Sequence, residues 1–206
     1  MRATKLTAIA AALVFSASLA ACGDDSGGDA AAAPAARMAS AAPSMPDTTA
    51  NFGDGCAAVP VDSADPGSFG AMSQAPVATA VSGNPLLSTL TAAVKQAGMV
   101  DTLNAAPALT LFAPTNDAFK KIDPNDLKVV MDDKETLASI LQYHVVEGKL
   151  APAQLAGTHK TLQGDEVTIE GSGTDFKVDE ASVVCGNVHT ANATVYIVDS
   201  VLMPKG

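Results

Sequence analysis

Asn192-Ala193-Thr194-Val195-Tyr196-Ile197-Val198-Asp199-Ser200-Val201-Leu202-Met203-Pro204 is the stretch whose reading decides the fold. In an extended chain successive side chains alternate faces, so Val195 and Ile197 point one way while Tyr196 and Val198 point the other. A strand that is apolar on both faces must be covered on both, which predicts a central strand over residues 194–198.

A second stretch, Thr110-Leu111-Phe112-Ala113-Pro114-Thr115-Asn116-Asp117-Ala118-Phe119, predicts a companion strand from Leu109 to Ala113, stopped by Pro114, which has no amide hydrogen for a ladder. Thr115 is placed to cap a short helix through Phe119, with Asp117 near its positive end. Upstream, a short apolar segment follows Pro76, and Asn84 with Pro85 opens a clearer helix. Leu87, Leu90, Val94 and Ala97 recur there at helical spacing, and Gly98 ends it. Asp123 and Pro124 start a further helical piece through Val130, and Asp132 with Glu135 has capping-box spacing ahead of Leu137 and Leu141.

After Tyr143 the period changes to two. Val145 and Val146 end at a Glu147-Gly148 turn, and Pro152 to Leu155 suits one helical turn. Strand candidates follow at 158–162, 166–170, 176–178, 182–184, 188–190 and 194–198, with turns at Gly164-Asp165, Gly171-Ser172-Gly173, Asp179-Glu180 and Gly186-Asn187. Helices first and a strand meander later predict an α+β domain with a mainly antiparallel sheet system.

The first fifty residues are of another kind. Arg2 and Lys5 precede an uncharged apolar run from Leu6 to Leu19, shorter than the roughly 20 residues of a spanning helix, which reads as a secretory signal over residues 1–21. Leu19-Ala20-Ala21-Cys22 resembles a bacterial lipobox, so Cys22 is the expected lipidated first residue of the mature chain. Two or three acyl chains, at about 0.8 kcal/mol per buried methylene, hold a soluble domain at a membrane. Residues 22–50 are Gly, Ala, Asp, Ser, Pro and Met without apolar periodicity and read as a tether with a mean reach of roughly 30 Å. Thr48 and Thr49 beside Pro46 read as plain linker, with O-glycosylation the alternative. Residues 51–206 then form a single domain.

The 206-residue chain carries 12 Lys and Arg against 22 Asp and Glu, a net charge of −10; loss of Arg2 and Lys5 with the signal takes it to −12. Such a surface repels phosphate backbones, which excludes nucleic acid as a favoured partner. With Cys22 assigned to lipid, Cys56 and Cys185 remain. An oxidising compartment favours their bridging, with two free buried thiols as the alternative.

The two quoted stretches, with Tyr143-His144 between them, resemble the signatures and central dipeptide of the fasciclin-domain family. The paired cysteines and Cys185-Gly186-Asn187-Val188-His189-Thr190-Ala191-Asn192 resemble its single-domain secreted and lipid-anchored members of mycobacterial type. The resemblance implies a wedge of two mainly antiparallel β-sheets with several helices packed along one side, and a role in adhesion or extracellular binding. Its signature positions here are Thr110, Phe112, Pro114, Thr115, Asp117, Phe119, Tyr143, His144, Asn192, Val198 and Asp199.

No G-x-S-x-G elbow, phosphate-binding loop, C-x-x-C or H-E-x-x-H occurs in the sequence. His144, in an apolar stretch, reads as a hydrogen-bonded core residue. His159 and His189 on adjacent strands make at most a two-ligand metal site, too few for zinc. Asn192-Ala193-Thr194 reads as structure rather than a glycan acceptor. The sequence therefore predicts no catalytic residue, no metal and no cofactor.

The expected function is an extracytoplasmic, lipid-anchored envelope module, partly secreted, that binds an extracellular or envelope protein or glycan. It touches the membrane by its lipid alone and uses an exposed acidic surface that includes Asp123, Asp126, Asp132 and Asp133. The alternative is a carrier of an apolar small molecule, lipid or pigment, held in a cleft between sheet and helices.

Overall fold

A computed structural model of the protein describes residues 50–204. The signal segment, Cys22 and the tether up to residue 49 lie outside the described residues. The order of elements is a 3-10 turn over Asp54–Ala58, α1 (Phe69–Gln74), α2 (Val77–Gly83), a 3-10 turn over Pro85–Leu87, α3 (Ser88–Gln96), α4 (Val100–Ala105), β1 (Leu109–Pro114), α5 (Asn116–Lys120), α6 (Pro124–Asp132), α7 (Lys134–Tyr143), β2 (Val145–Glu147), α8 (Pro152–Leu155), β3 (Gly157–Lys160), β4 (Glu166–Ser172), β5 (Asp175–Val178), β6 (Ala181–His189) and β7 (Ala193–Val198).

β7 is central, and every residue in it is buried. It lies between β1, which runs parallel with Phe112 opposite Tyr196, and β6, which runs antiparallel. Its alternation sorts the core into two. Val195 and Ile197 join Leu109, Leu111 and Ala113 under the helices with Leu90, Val94 and Leu141. Tyr196 and Val198 join Phe112, Tyr143, Ile169, Phe176 and Val178 on the other face, inside the curl of the sheet. At roughly 1.5–3 kcal/mol per large apolar side chain buried, these two clusters are the principal stabilising term.

The strands run β2-β1-β7-β6-β5-β4-β3. The two halves of the wedge are continuous through β6, whose first residues pair with β5 through Lys177 opposite Ser182, while its remainder pairs with β7. The far edges of β2 and β3 touch at one bridge, Val146 opposite Thr161, supported by the Leu162 amide donating to the Val145 carbonyl at 2.8 Å. The sheet is therefore nearly closed into a barrel, which leaves little unpaired edge.

β6 corrects the sequence reading. Two strands with a turn at Gly186-Asn187 were expected, and a single strand runs through. Register shifts on both sides of Cys185 mark bulges, and Asn187 adopts a φ of 60°, a conformation Asn tolerates, so the strand bends without reversing. Against this bend lies residue 52. The Phe52 amide donates to the Gly186 carbonyl at 3.2 Å and the Gly186 amide returns to Phe52 at 2.8 Å. A Cβ on Gly186 would stand 2.3 Å from the Phe52 ring, so only glycine admits the ring there. Four residues on, Cys56 is disulfide-bonded to Cys185, with Cα atoms 4.8 Å apart.

The cap of α7 is Asp133, one residue later than the expected Asp132. Its carboxylate accepts from the Glu135 and Thr136 amides and the Thr136 hydroxyl. Asp132 still belongs to α6, and Asp133, at φ −99° and ψ 103°, ends one helix while starting the next. Asp133→Ala is accordingly expected to lower the melting temperature measurably, whereas Asp132→Ala leaves it unchanged within error; equal shifts in a thermal melt would return the cap to Asp132.

Candidate functional site

The signature residues converge on the seam between β1, β7 and the end of α7. Thr110 is buried in β1; its hydroxyl donates to the Gly148 carbonyl at 2.7 Å and accepts from the Leu150 amide at 2.9 Å, fastening the loop after β2. Phe112 faces Tyr196 with ring centroids 6.0 Å apart. Pro114 closes β1 opposite Val198. The Thr115 hydroxyl accepts from the Ala118 amide at 3.2 Å, as a cap should, and Phe119 is buried. Asp117 is exposed and pairs with Lys120 at 2.8 Å; that hydrogen bond and charge hold its carboxyl below the ordinary range.

Asn192 is half-buried and fully committed: its carbonyl accepts from the Val77 amide, and its amide donates to the Leu103 and Ala106 carbonyls. It ties α2 and the end of α4 to the start of β7. Asp199 performs the same service at the other end of β7, accepting from the Ser182 amide at 2.8 Å and pairing with Lys121 at 3.1 Å. Burial pushes its carboxyl up, but the bonds from Ser182, Lys121 and Ser200 outweigh this and keep it low.

Tyr143 and His144 end α7 and point apart. The Tyr143 hydroxyl donates to Asp179 at 2.9 Å, and burial followed by that bond raises its pKa. The His144 ring is buried, with Nδ1 2.8 Å from the Ile140 carbonyl and Nε2 2.9 Å from the Leu202 amide. A backbone amide can only donate, so Nε2 accepts and the proton sits on Nδ1. Both nitrogens are occupied, and burial depresses the pKa to about 4. This imidazole holds the chain end and has no free atom for a substrate.

Between α3, α6, α7 and the chain end lies an apolar cavity of about 40 Å³, floored by Ala93 and Leu141 and roofed by Leu127, Val130 and Met131 of α6. Asp126 also lines it. The four acidic residues expected at the surface are exposed and collect on this same helix. Asp123 caps its start by accepting from the Asn125 amide, Asp126 stands in its first turn, and Asp132 and Asp133 stand at its end.

His159 and His189 do not meet. They lie on β3 and β6, with β4 and β5 between. The His159 ring bonds the Leu155 carbonyl instead. Among the described residues no three His, Cys, Asp or Glu side chains gather as metal ligands. Asn116 went unnoticed in the sequence. Its carbonyl accepts from the Thr89 amide and its amide donates to the Pro85 carbonyl, so it caps α3 from α5 across 27 residues, a partnership with no local signal.

The model of the fasciclin domain matches residues 85–204, the whole span from the 3-10 turn before α3 to the end of the described residues. The chain belongs to the fasciclin domain family. Among relatives of its domain, the cell surface glycolipoprotein MPB83 of Mycobacterium bovis is 47% identical over 181 residues, covering 84% of this chain and 81% of that protein. The immunogenic protein MPB70 of Mycobacterium bovis is 50% identical over 158 residues, covering 74% and 81%. A solved fasciclin domain pair from the insect cell adhesion molecule Fasciclin I shares the fold with a TM-score of 0.55 at 16% identity, covering 66% of this chain and 53% of that chain. This fasciclin chain thus spans about half of the solved pair. The likeness accounts for the α+β wedge and for the helices along one side of it.

Proposed function

We propose that this chain is a cell-surface interaction module, held at the extracytoplasmic face of the envelope membrane by a lipid on Cys22, which presents its fasciclin domain to a protein or glycan partner. One observation carries the reading: the signature residues are consumed in holding the fold, so a partner meets the remaining exposed surface, of which the acidic face along α6 is the part we assign to it. The name of MPB83, a cell surface glycolipoprotein 47% identical to this chain, supports both surface placement and the reading of Leu-Ala-Ala-Cys at residues 19–22. An acidic face favours a basic or neutral partner, with association that weakens as salt rises.

Two measurements test this. Cys22→Ala is expected to move the protein from the membrane fraction to the soluble fraction; retention in the membrane overturns the anchor. Replacing Asp123, Asp126, Asp132 and Asp133 together by Asn removes four charges but keeps both caps, since Asn caps as well as Asp. Binding to the envelope fraction or cells that the wild type recognises is expected to fall, with a flatter salt dependence. Unchanged binding by the folded variant moves the contact off this face.

A further inference from the structure

The cavity under α6 is lined by apolar side chains except at two places, the His144 ring, both of whose nitrogens are already bonded, and Asp126. Apart from the Asp126 carboxylate no lining side chain has a free atom to bond water, and apolar cavities of this kind stay dry and take hydrocarbon instead. At about 40 Å³ it is smaller than the roughly 150 Å³ that admits benzene, so a ligand enters only as its roof lifts.

The roof is built to lift. No residue of α6 is fully buried. Leu127, Val130 and Met131 are half-buried, Val129 is 68% exposed, and Met203 beside the cavity is 46% exposed. One side-chain hydrogen bond, from Gln96 to the Met131 carbonyl, joins the helix to α3. The chain leaves helical geometry at both ends, at Asp123 and Asp133, so α6 is a separate short element and not a continuation of its neighbours. The rim is also charged in one sense. Asp126 lines the cavity, no Lys or Arg does, and Lys128, the only cation in α6, is not among the lining residues.

We propose that this cavity is a binding site for a single linear alkyl chain with a cationic head, the chain entering beneath α6 and the head resting at the Asp126 carboxylate. This goes beyond surface binding and is read from the interior.

The test uses the full chain carrying Cys22→Ala, labelled with 13C at its methionine methyls and titrated with octylammonium and, separately, octanoate. Met131 and Met203 line the cavity, whereas Met72 is fully buried and is not among the lining residues. Saturable shifts of Met131 and Met203 with Met72 unmoved are expected, and octylammonium is expected to bind about fivefold tighter than octanoate, the worth of one partly screened charge at contact. Asp126→Asn should erase that preference. Ala93→Val, which fills the floor, should abolish the shifts while a thermal melt shows the fold retained. Equal shifts of all methionines, equal affinity for the two probes, or undiminished binding by Ala93→Val each overturn the site. None of these outcomes depends on the surface face, so they leave the adhesion reading separately testable.

Discussion

Replacing Cys56 and Cys185 together by Ala is expected to lower stability by up to about 5 kcal/mol, and the melting temperature by roughly 10–20 °C. The two residues are 129 apart in sequence, and a bridge closing so long a loop removes much of the freedom of the unfolded chain. A second loss lies in the folded state. The bridge fixes the turn over Asp54–Ala58, and with it residue 52, whose ring packs on Phe176 at 5.7 Å and Tyr196 at 6.3 Å. Gly186→Ala separates the two effects, since its added Cβ displaces the Phe52 ring without touching the disulfide. That variant should lose a smaller part of the stability and keep the loop closed. A double Cys variant whose melt falls by less than about 1 kcal/mol would show that Phe52 alone secures the segment.

The next largest effect concerns acid. The His144 pKa falls from an ordinary 6.5 to about 4 on folding, so the unfolded chain binds a proton that the folded one refuses between those values. The contribution is fully present above pH 6.5 and is lost as pH falls towards 4, at about 1.4 kcal/mol per pH unit, approaching about 3 kcal/mol. The carboxyls of Asp117, Asp133 and Asp199 lie below their ordinary 3.8, so their own contributions are lost only at lower pH and leave the window from 6.5 to 4 to the imidazole. Protonation also abolishes the acceptor for the Leu202 amide, so the chain end at 200–204 should exchange its amides faster in acid. His144→Ala is expected to cost about 1–3 kcal/mol at pH 7, through the unpaired amide and the opened space, and to flatten the stability curve between pH 6.5 and 4. A curve of unchanged slope in the variant would assign the acid sensitivity elsewhere.

What the sequence showed of this fold follows from how far each signal reaches. Val195 to Val198 announced a strand covered on both faces, and each neighbour of that strand was needed only to supply the cover. Thr115 and Asn84 cap within three residues, so their roles were legible. Helices α1 and α4 were missed because each buries one residue, Met72 and Leu103, and one buried residue has no period. The bend in β6 looked like a turn because glycine and asparagine favour positive φ in both; only the Phe52 ring, 134 residues upstream, determines which occurs. β4 likewise runs into the expected Gly171-Ser172-Gly173 turn because Gly171 still pairs with Phe176.

Of the candidate site, the caps and core positions could be read, along with the acidic composition of α6. The cavity could not. It lies where α3, α6, α7 and the chain end face one another across more than a hundred residues of sequence, and no local pattern records an unfilled space.

The bridge between Cys56 and Cys185 also sets the path of mechanical load. Traction on the chain ahead of Cys56, opposed by a grip on the C-terminal end, crosses the disulfide directly into β6 and its partner β7. The intervening 57–184, which holds all eight helices, is left slack behind a covalent shunt. Ahead of the bridge the load falls on the Asn187 side-chain amide bonded to the Ala50 carbonyl and on the paired amides of Phe52 and Gly186; past it, on the ladders that hold β7 to β6 and β1. A domain pulled from its N-terminal side therefore passes its load to the two central strands and spares the helices between the bridged cysteines.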